Sequence, residues 1–416
     1  MAGAAPGGLS GASRKSGSAP RVLLLSPFFY PEPISTGRYN LTMAQGLMAA
    51  GCEVTVVCCH PFYPEWKVER TEAQLPGMRI ERGGGWLRFP GSPMVRRALL
   101  ECWFAAFATL EVWRRRRAAD IVVAVIPPSL FFLGVSAVLP DSVRRVAVIH
   151  DLQGVHAEAS RSRLTRALVG VIGAIERRVF RACDRLVVLS AAMGEKLVET
   201  TGVDRDRLTV VYPFVNLPDL APGAARLAPH FPEGYVHVVY SGALGEKQNP
   251  HQLAEIFETI ARTLPDVMIH VFSNGPAFEA MKARFAGERL PNVTFQPLVP
   301  DEDVAELYAR ADIQLIPQAA GTQHGSMPSK LPNILASGRR ILAICDADSE
   351  LAAMIARFHA GESLSSWDPG EVRDAVARLA ALRRDDAAPP VDSAAARALF
   401  SLDHLTGALI GSGPTA

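Results

Sequence analysis

A repeated alternation constrains this chain more than any other feature. Short apolar runs at Arg21–Ser26, Glu53–Cys59, Asp120–Ile126, Arg145–His150 and Asp184–Ser190 alternate with helical patterns over Arg38–Ala50, Met94–Arg117, Arg163–Arg181 and Ala191–Thr200. An unbroken apolar run predicts a strand covered on both faces, the condition of a parallel sheet. Strands alternating with helices predict a doubly wound α/β sheet. A proline-dense stretch, 212–232, then interrupts the pattern with Pro213, Pro218, Pro222, Pro229 and Pro232, and reads as a linker. Beyond it the alternation restarts, with strands expected at Tyr235–Ser241, Val267–Ser273, Asn292–Gln296, Ala311–Ile316 and Arg340–Ile344. Asn249 as N-cap with Pro250 at the first helical position marks the next helix start. The expectation is two Rossmann-like domains facing across a cleft: 1–20 a disordered tail, 21–214 the first domain and 215–398 the second.

Composition narrows the function. Hydrophobic residues make up 49% of the 416, enough for two cores. Lys and Arg number 43 against 42 Asp and Glu, so the basic bias of a nucleic-acid reader is missing. The six cysteines show no zinc-ligand spacing and several sit in or beside strand-like runs, as in a reducing, cytoplasmic protein. The Gly-, Ala- and Ser-rich start has no apolar stretch of the secretory type, and Glu101 and Glu111 interrupt the longest apolar run. No membrane span is expected.

In open α/β sheets, ligands bind beyond the carboxyl ends of strands, and chemistry is sought there. After the first strand, Thr36 can cap a helix starting near Arg38, and Gly37 would let backbone approach an anion; the alternative is an ordinary left-handed turn glycine. His150 and Asp151 end a strand, placed to act as acid, base or sugar-hydroxyl binder, unless the histidine only satisfies a loop carbonyl. Ser241–Asn249 supplies Gly242 and puts Lys247 before a helix N-terminus, where a cation opposes the dipole unless an anion binds. In Gly325–Gly338, Ser329 marks a helix start with free amides, Lys330 adds charge, and Asn333 projects one turn on; a capped core helix is the plainer reading. His324 precedes that segment, in reach of a donor sugar. Arg114–Arg117 close a long helix, which suits its dipole and, beside Trp113, could also rest on anionic lipid.

These residues resemble a retaining glycosyltransferase of family 4, with the two-domain GT-B architecture, and within it the colanic-acid-type exopolysaccharide transferases. The resemblance is carried by SPFFYPEPISTGRYN with GCEVTVVCCHPFYPEW, by IHDLQ followed by ERRVFRACDRLVVLS, by YSGALGEKQN, by MPSKLPNILASGRRILA and by FSLDHL. It implies that 399–416 begins with a helix crossing back to the first domain. It also implies a nucleotide-diphosphate sugar, UDP- or GDP-linked, gripped without a metal cofactor. Lys247 matches the family's phosphate-loop lysine, while Ala243 stands where an arginine is usual. The family's two donor-helix glutamates fall on Gly325 and Asn333, so Asn333 would bond ribose hydroxyls and Ser329 and Lys330 would supply phosphate contacts. The catalytic-region histidine corresponds to His150, with Asp151 its alternative.

The implied partners are a nucleotide-sugar donor and a glycan or lipid-linked acceptor, with peripheral contact on the cytoplasmic face of the membrane and no nucleic acid. Two other readings share the architecture. A nucleotide-sugar 2-epimerase would isomerise the donor with no acceptor present. A catalytically degenerate subunit would bind without releasing nucleotide, a reading that Ala243 and the missing glutamates favour.

Overall fold

The computed structural model describes residues 19–32, 34–151, 163–221, 223–288, 290–321, 327–382 and 389–411. Its strands form two sheets. In the first, β1 (Arg21–Leu25), β2 (Glu53–Cys59), β3 (Arg79–Gly83), β4 (Ile121–Ile126), β5 (Arg144–Ile149), β6 (Arg185–Val188) and β7 (Leu208–Val210) run in the order β3-β2-β1-β4-β5-β6-β7. In the second, β8 (Val236–Ser241), β9 (Val267–Phe272), β10 (Val293–Gln296), β11 (Ile313–Pro317), β12 (Arg340–Ile344) and β13 (Gly361–Leu364) run in the order β10-β9-β8-β11-β12-β13. Every neighbouring pair of the second sheet is parallel. The strand order reverses direction once in each sheet, between β1 and β4 and between β8 and β11. Such switch points open a crevice at the carboxyl edge.

All five strands expected in each half are present. The structure adds β3, β7 and β13, which lie toward or at the sheet edges. By internal contacts the chain divides into two compact units, Met1–Val123 with Gly134–Arg144, and Ala124–Leu133 with Arg145–Ala416.

In the first unit, β1 and β2 feed a core of Leu24, Leu25, Val56, Val57 and Phe104. The helix after β1 spans Ser35–Ala49 with Ile34 at its N-cap, so Thr36 lies inside the helix instead of capping it. Gly37 is likewise a helical residue of the first turn and has no left-handed φ. Its need for glycine is steric, since a Cβ there would sit 3.0 Å from the Glu32 carbonyl oxygen. Arg114 and Arg115, at the end of the helix Pro93–Arg115, are held by the buried Glu111. Arg116 lies over the Trp113 ring, 5.0 Å from its centroid. Among the described residues no helix is long and apolar enough to cross a membrane.

In the second unit, β9 is buried at all six positions, although it carries a histidine. His270 Nε2 lies 2.9 Å from His237 Nδ1 on β8, His237 Nε2 lies 3.1 Å from the Pro232 carbonyl, and His270 Nδ1 lies 2.9 Å from Thr294 Oγ1 on β10. The Pro232 carbonyl can only accept, which sets the tautomers along the chain: Thr294 donates to His270, His270 to His237, and His237 to Pro232. Both rings are neutral in this arrangement, and burial lowers the pKa of His270 to about 3.

Candidate active site at the carboxyl edge of the second sheet

The loops after β8, β9, β11 and β12 are tied to one another at one edge of the sheet. After β8 the chain turns through Gly242, whose φ of 142° is closed to other residues in comfort. A short 3-10 turn, Glu246–Gln248, follows, and Asn249 caps the helix Pro250–Thr263. Asn249 occupies the N-cap in a left-handed conformation, and its side chain makes no capping bond. The exposed Lys247 lies in the 3-10 turn, and its carbonyl accepts from Ala319 N beyond β11 at 2.8 Å. Ser273, beyond β9, donates to the Gly242 carbonyl at 2.7 Å. Gly321 N donates to Asp346 beyond β12 at 2.9 Å.

Lys330 sits at the switch point. Its Nζ donates to Ser241 O, the last residue of β8, at 3.1 Å and to Leu315 O on β11 at 3.4 Å, and lies 4.6 Å from the centroid of the Tyr240 ring. A Cβ on Gly242 would come within 3.9 Å of it. Burial lowers the ammonium pKa to about 8, and the two carbonyls and the π face offset part of that cost. Lys247 and Lys330 therefore share one edge of the sheet, as the sequence spacing predicts.

The helix next to Lys330 departs from expectation. It runs only Leu331–Ala336, with Lys330 at the N-cap. Leu331 N already donates to Pro328 O at 2.9 Å, and Pro332 has no N–H. The row of free amides expected at Ser329 is shortened accordingly, and Ser329 is an exposed turn residue. Asn333 is paired far along the chain: its Oδ1 accepts from Asn216 N at 2.8 Å and its Nδ2 donates to Asn216 O at 3.4 Å. One lone pair and one amide hydrogen of Asn333 remain for a ligand. His324 and Gly325 lie outside the described residues.

His150 and Asp151 follow β5, with His150 N donating to the last residue of β4, Ile126 O, at 2.8 Å. Burial lowers the His150 imidazole to about 4 against the opposing pull of Asp151, so it is neutral at pH 7 and fitted to bond a hydroxyl. In the first unit the loops after β1 and β2 are held by side chains that sequence reasoning passed over. Asn40, fully buried, donates to Ser26 Oγ and Phe28 O, both at 2.9 Å. Glu32 Oε1 accepts from Phe62 N at 2.8 Å and Tyr63 N at 2.6 Å, while its buried Oε2 has no hydrogen-bond partner among the described residues. Burial raises the Glu32 carboxyl to about 7, against the two amide bonds that lower it.

Sequence profiles decide the family. The profile of Glycosyltransferase Family 4 matches residues 36–218, and that of Glycosyl transferases group 1 matches residues 225–380. The chain is a family 4 glycosyltransferase. It is 26% identical over 357 residues to WcaI of Escherichia coli K12, whose name describes a colanic acid biosynthesis glycosyl transferase; the match covers 81% of this chain and 86% of that one. Among solved structures, WaaG, a glycosyltransferase involved in lipopolysaccharide biosynthesis, superposes with a TM-score of 0.64 at 16% identity, over 94% of this chain and 100% of that one. TarM of S. aureus, solved with UDP, Fondaparinux and alpha-GlcNAc-glycerol, gives 0.62 at 8% identity over 94% and 99%. At these identities the structural likeness speaks for the GT-B fold alone.

Proposed function

We propose that this glycosyltransferase moves a sugar, with retention of configuration, from a UDP- or GDP-sugar to a glycan or lipid-linked acceptor in polysaccharide or glycoconjugate synthesis. The observation that supports this reading best is the gathering of Gly242, Lys247 and Lys330 at the β8–β11 switch point. A departing nucleotide diphosphate gains negative charge as the glycosidic bond breaks, so catalysis needs cations and amides already aimed at it. Lys247, exposed on a loop tethered to Ala319, meets the diphosphate, and Lys330 and Ser329 add charge and polarity beside it. The remaining valences of Asn333 meet the ribose, and His324 the donor sugar. His150, neutral at pH 7, receives or orients the acceptor hydroxyl, with Asp151 beside it. No metal takes part in this scheme, because the lysines supply the positive charge. WcaI by its name, and WaaG by its description, serve polysaccharide or lipopolysaccharide synthesis, which supports a role of that kind here; the placement that goes with this reading is a cytoplasmic protein in peripheral contact with the membrane.

Lys247→Ala is expected to weaken UDP or GDP binding about 10- to 150-fold, the equivalent of about 1.5–3 kcal/mol for one charge-assisted contact. Titration calorimetry reads it, and unchanged affinity would remove Lys247 from the phosphate site. Nucleotide release that depends on an acceptor separates transfer from epimerisation, which needs donor alone, and from a binding-only role.

A further inference from the structure

The turn Ser241-Gly242-Ala243 is held in an unusual way. Each of its three successive carbonyls accepts from a different side chain: Ser241 O from Lys330 Nζ at 3.1 Å, Gly242 O from Ser273 Oγ at 2.7 Å and Ala243 O from the Tyr240 hydroxyl at 2.6 Å. Ser273 and Tyr240 are buried, with 0% and 1% of their surface exposed. Their hydroxyls are therefore committed to the loop and not to solvent. In a planar trans peptide the C=O and N–H point in opposite directions. Holding the Gly242 and Ala243 carbonyls inward turns the N–H groups of Ala243 and Leu244 the other way. Gly242 N is taken by Phe272 O at 3.0 Å. Neither Ala243 N nor Leu244 N has a hydrogen-bond partner among the described residues. Two adjacent amides without a partner among the described residues, a few residues before Lys247 in the same loop, make a donor pair of the kind that takes an oxyanion.

The geometry points to Tyr240 and Ser273 as positioning residues that hold the Ala243 and Leu244 amides ready for a phosphoryl oxygen of the donor. The inference rests on the reading of this loop as the diphosphate site. Ala243, with no side-chain donor of its own, stands at the exposed point of the turn, and its backbone N–H then does part of the work of a cationic side chain. Fixing the amides before binding removes the reorganisation that a mobile loop would need.

The test compares UDP with UMP, and GDP with GMP, by titration calorimetry on the full chain. The wild type is expected to prefer the diphosphate. Ser273→Ala and Tyr240→Phe are each expected to cut that preference about tenfold through weaker diphosphate binding, with monophosphate affinity unchanged. Ser273→Thr, which keeps the hydroxyl, is expected to restore it. Equal losses for mono- and diphosphate would mark the two residues as merely structural, and an undiminished preference in both variants would overturn the inference while leaving the donor site standing. If the wild type bound neither UDP nor GDP, the proposed function itself would fall.

Discussion

Gly361→Ala is expected to destabilise the protein by about 4 kcal/mol or more, at the extreme of what one methyl group does. Gly361 opens β13 and pairs in register with Ile341 on β12. Its φ is 145°, which L residues rarely adopt, and a Cβ there would lie 2.0 Å from Ile341 O and 2.9 Å from both Ile341 N and Ile341 C. All three atoms are backbone, so no rotamer change relieves the overlap. The strand must move away from β12, loosening the bonds from Ile341 N to Ala360 O at 2.7 Å and from Cys345 N to Leu364 O at 2.8 Å. It would also expose the packing around Ile341, Ala343 and Phe358. Gly202→Ala is the control. Gly202 also has a positive φ, 66°, but its Cβ would meet nothing within 4 Å, so only the conformational cost of about 1 kcal/mol is expected. Denaturant unfolding of both variants checks the argument, and equal losses would show that β13 yields without cost.

The contrast between these glycines also shows where sequence reasoning reached and where it stopped. Central strands such as β4 (IVVAVI), buried at every position, are legible because both faces demand apolar residues. β3 (RIERG) and β13 (GESL) have one strand neighbour each and are at most partly buried at four of five and all four positions. Their composition resembles a loop, and only pairing with β2 and β12 makes them strands. The site divides in the same way. Lys247 and Lys330 could be read as cations placed after strand ends. Tyr240 and Ser273 could not, because each sits at the end of an apolar run and reads as strand filling. Their role depends on β9 lying beside β8, with Ser273 reaching the Gly242 carbonyl 31 residues away in sequence. Asn333 is a similar case. A polar Asn in an otherwise apolar short helix demands a partner, but that partner, Asn216, lies 117 residues earlier.

Acidification from pH 6.5 to 4.5 is expected to cost stability, and Glu32→Gln is expected to steepen that slope by about 1.4 kcal/mol per pH unit relative to the wild type. Three buried groups set the sign. His270 and His150 have native pKa values lowered to about 3 and about 4, below the ~6.5 of an unfolded histidine. Their contribution is present above pH 6.5 and is lost as pH falls, because the unfolded chain takes up two protons that the native state refuses. Glu32 works in the opposite sense. Its native pKa is raised to about 7, above the ~4.3 of an unfolded glutamate, so the native state holds one proton that the unfolded chain lacks, and stability is lost as pH rises toward 7. From these three groups the unfolded state thus binds about one net proton more over this window, a contribution of about 1.4 kcal/mol per unit, and the lowered pKa values of His60, Glu81 and Glu258 add to it in the same sense. Glu32→Gln keeps an oxygen for the Phe62 and Tyr63 amides and removes the opposing titration, which adds about one net proton and about 1.4 kcal/mol per unit to the slope. His270→Asn removes one of the two histidines and is expected to flatten the slope by about 1.4 kcal/mol per unit, whatever it does to absolute stability. Urea unfolding at intervals across the window measures each slope directly. A Glu32→Gln slope equal to the wild type would mean that the native carboxyl holds no proton near neutrality, and that its buried Oε2 is solvated in solution.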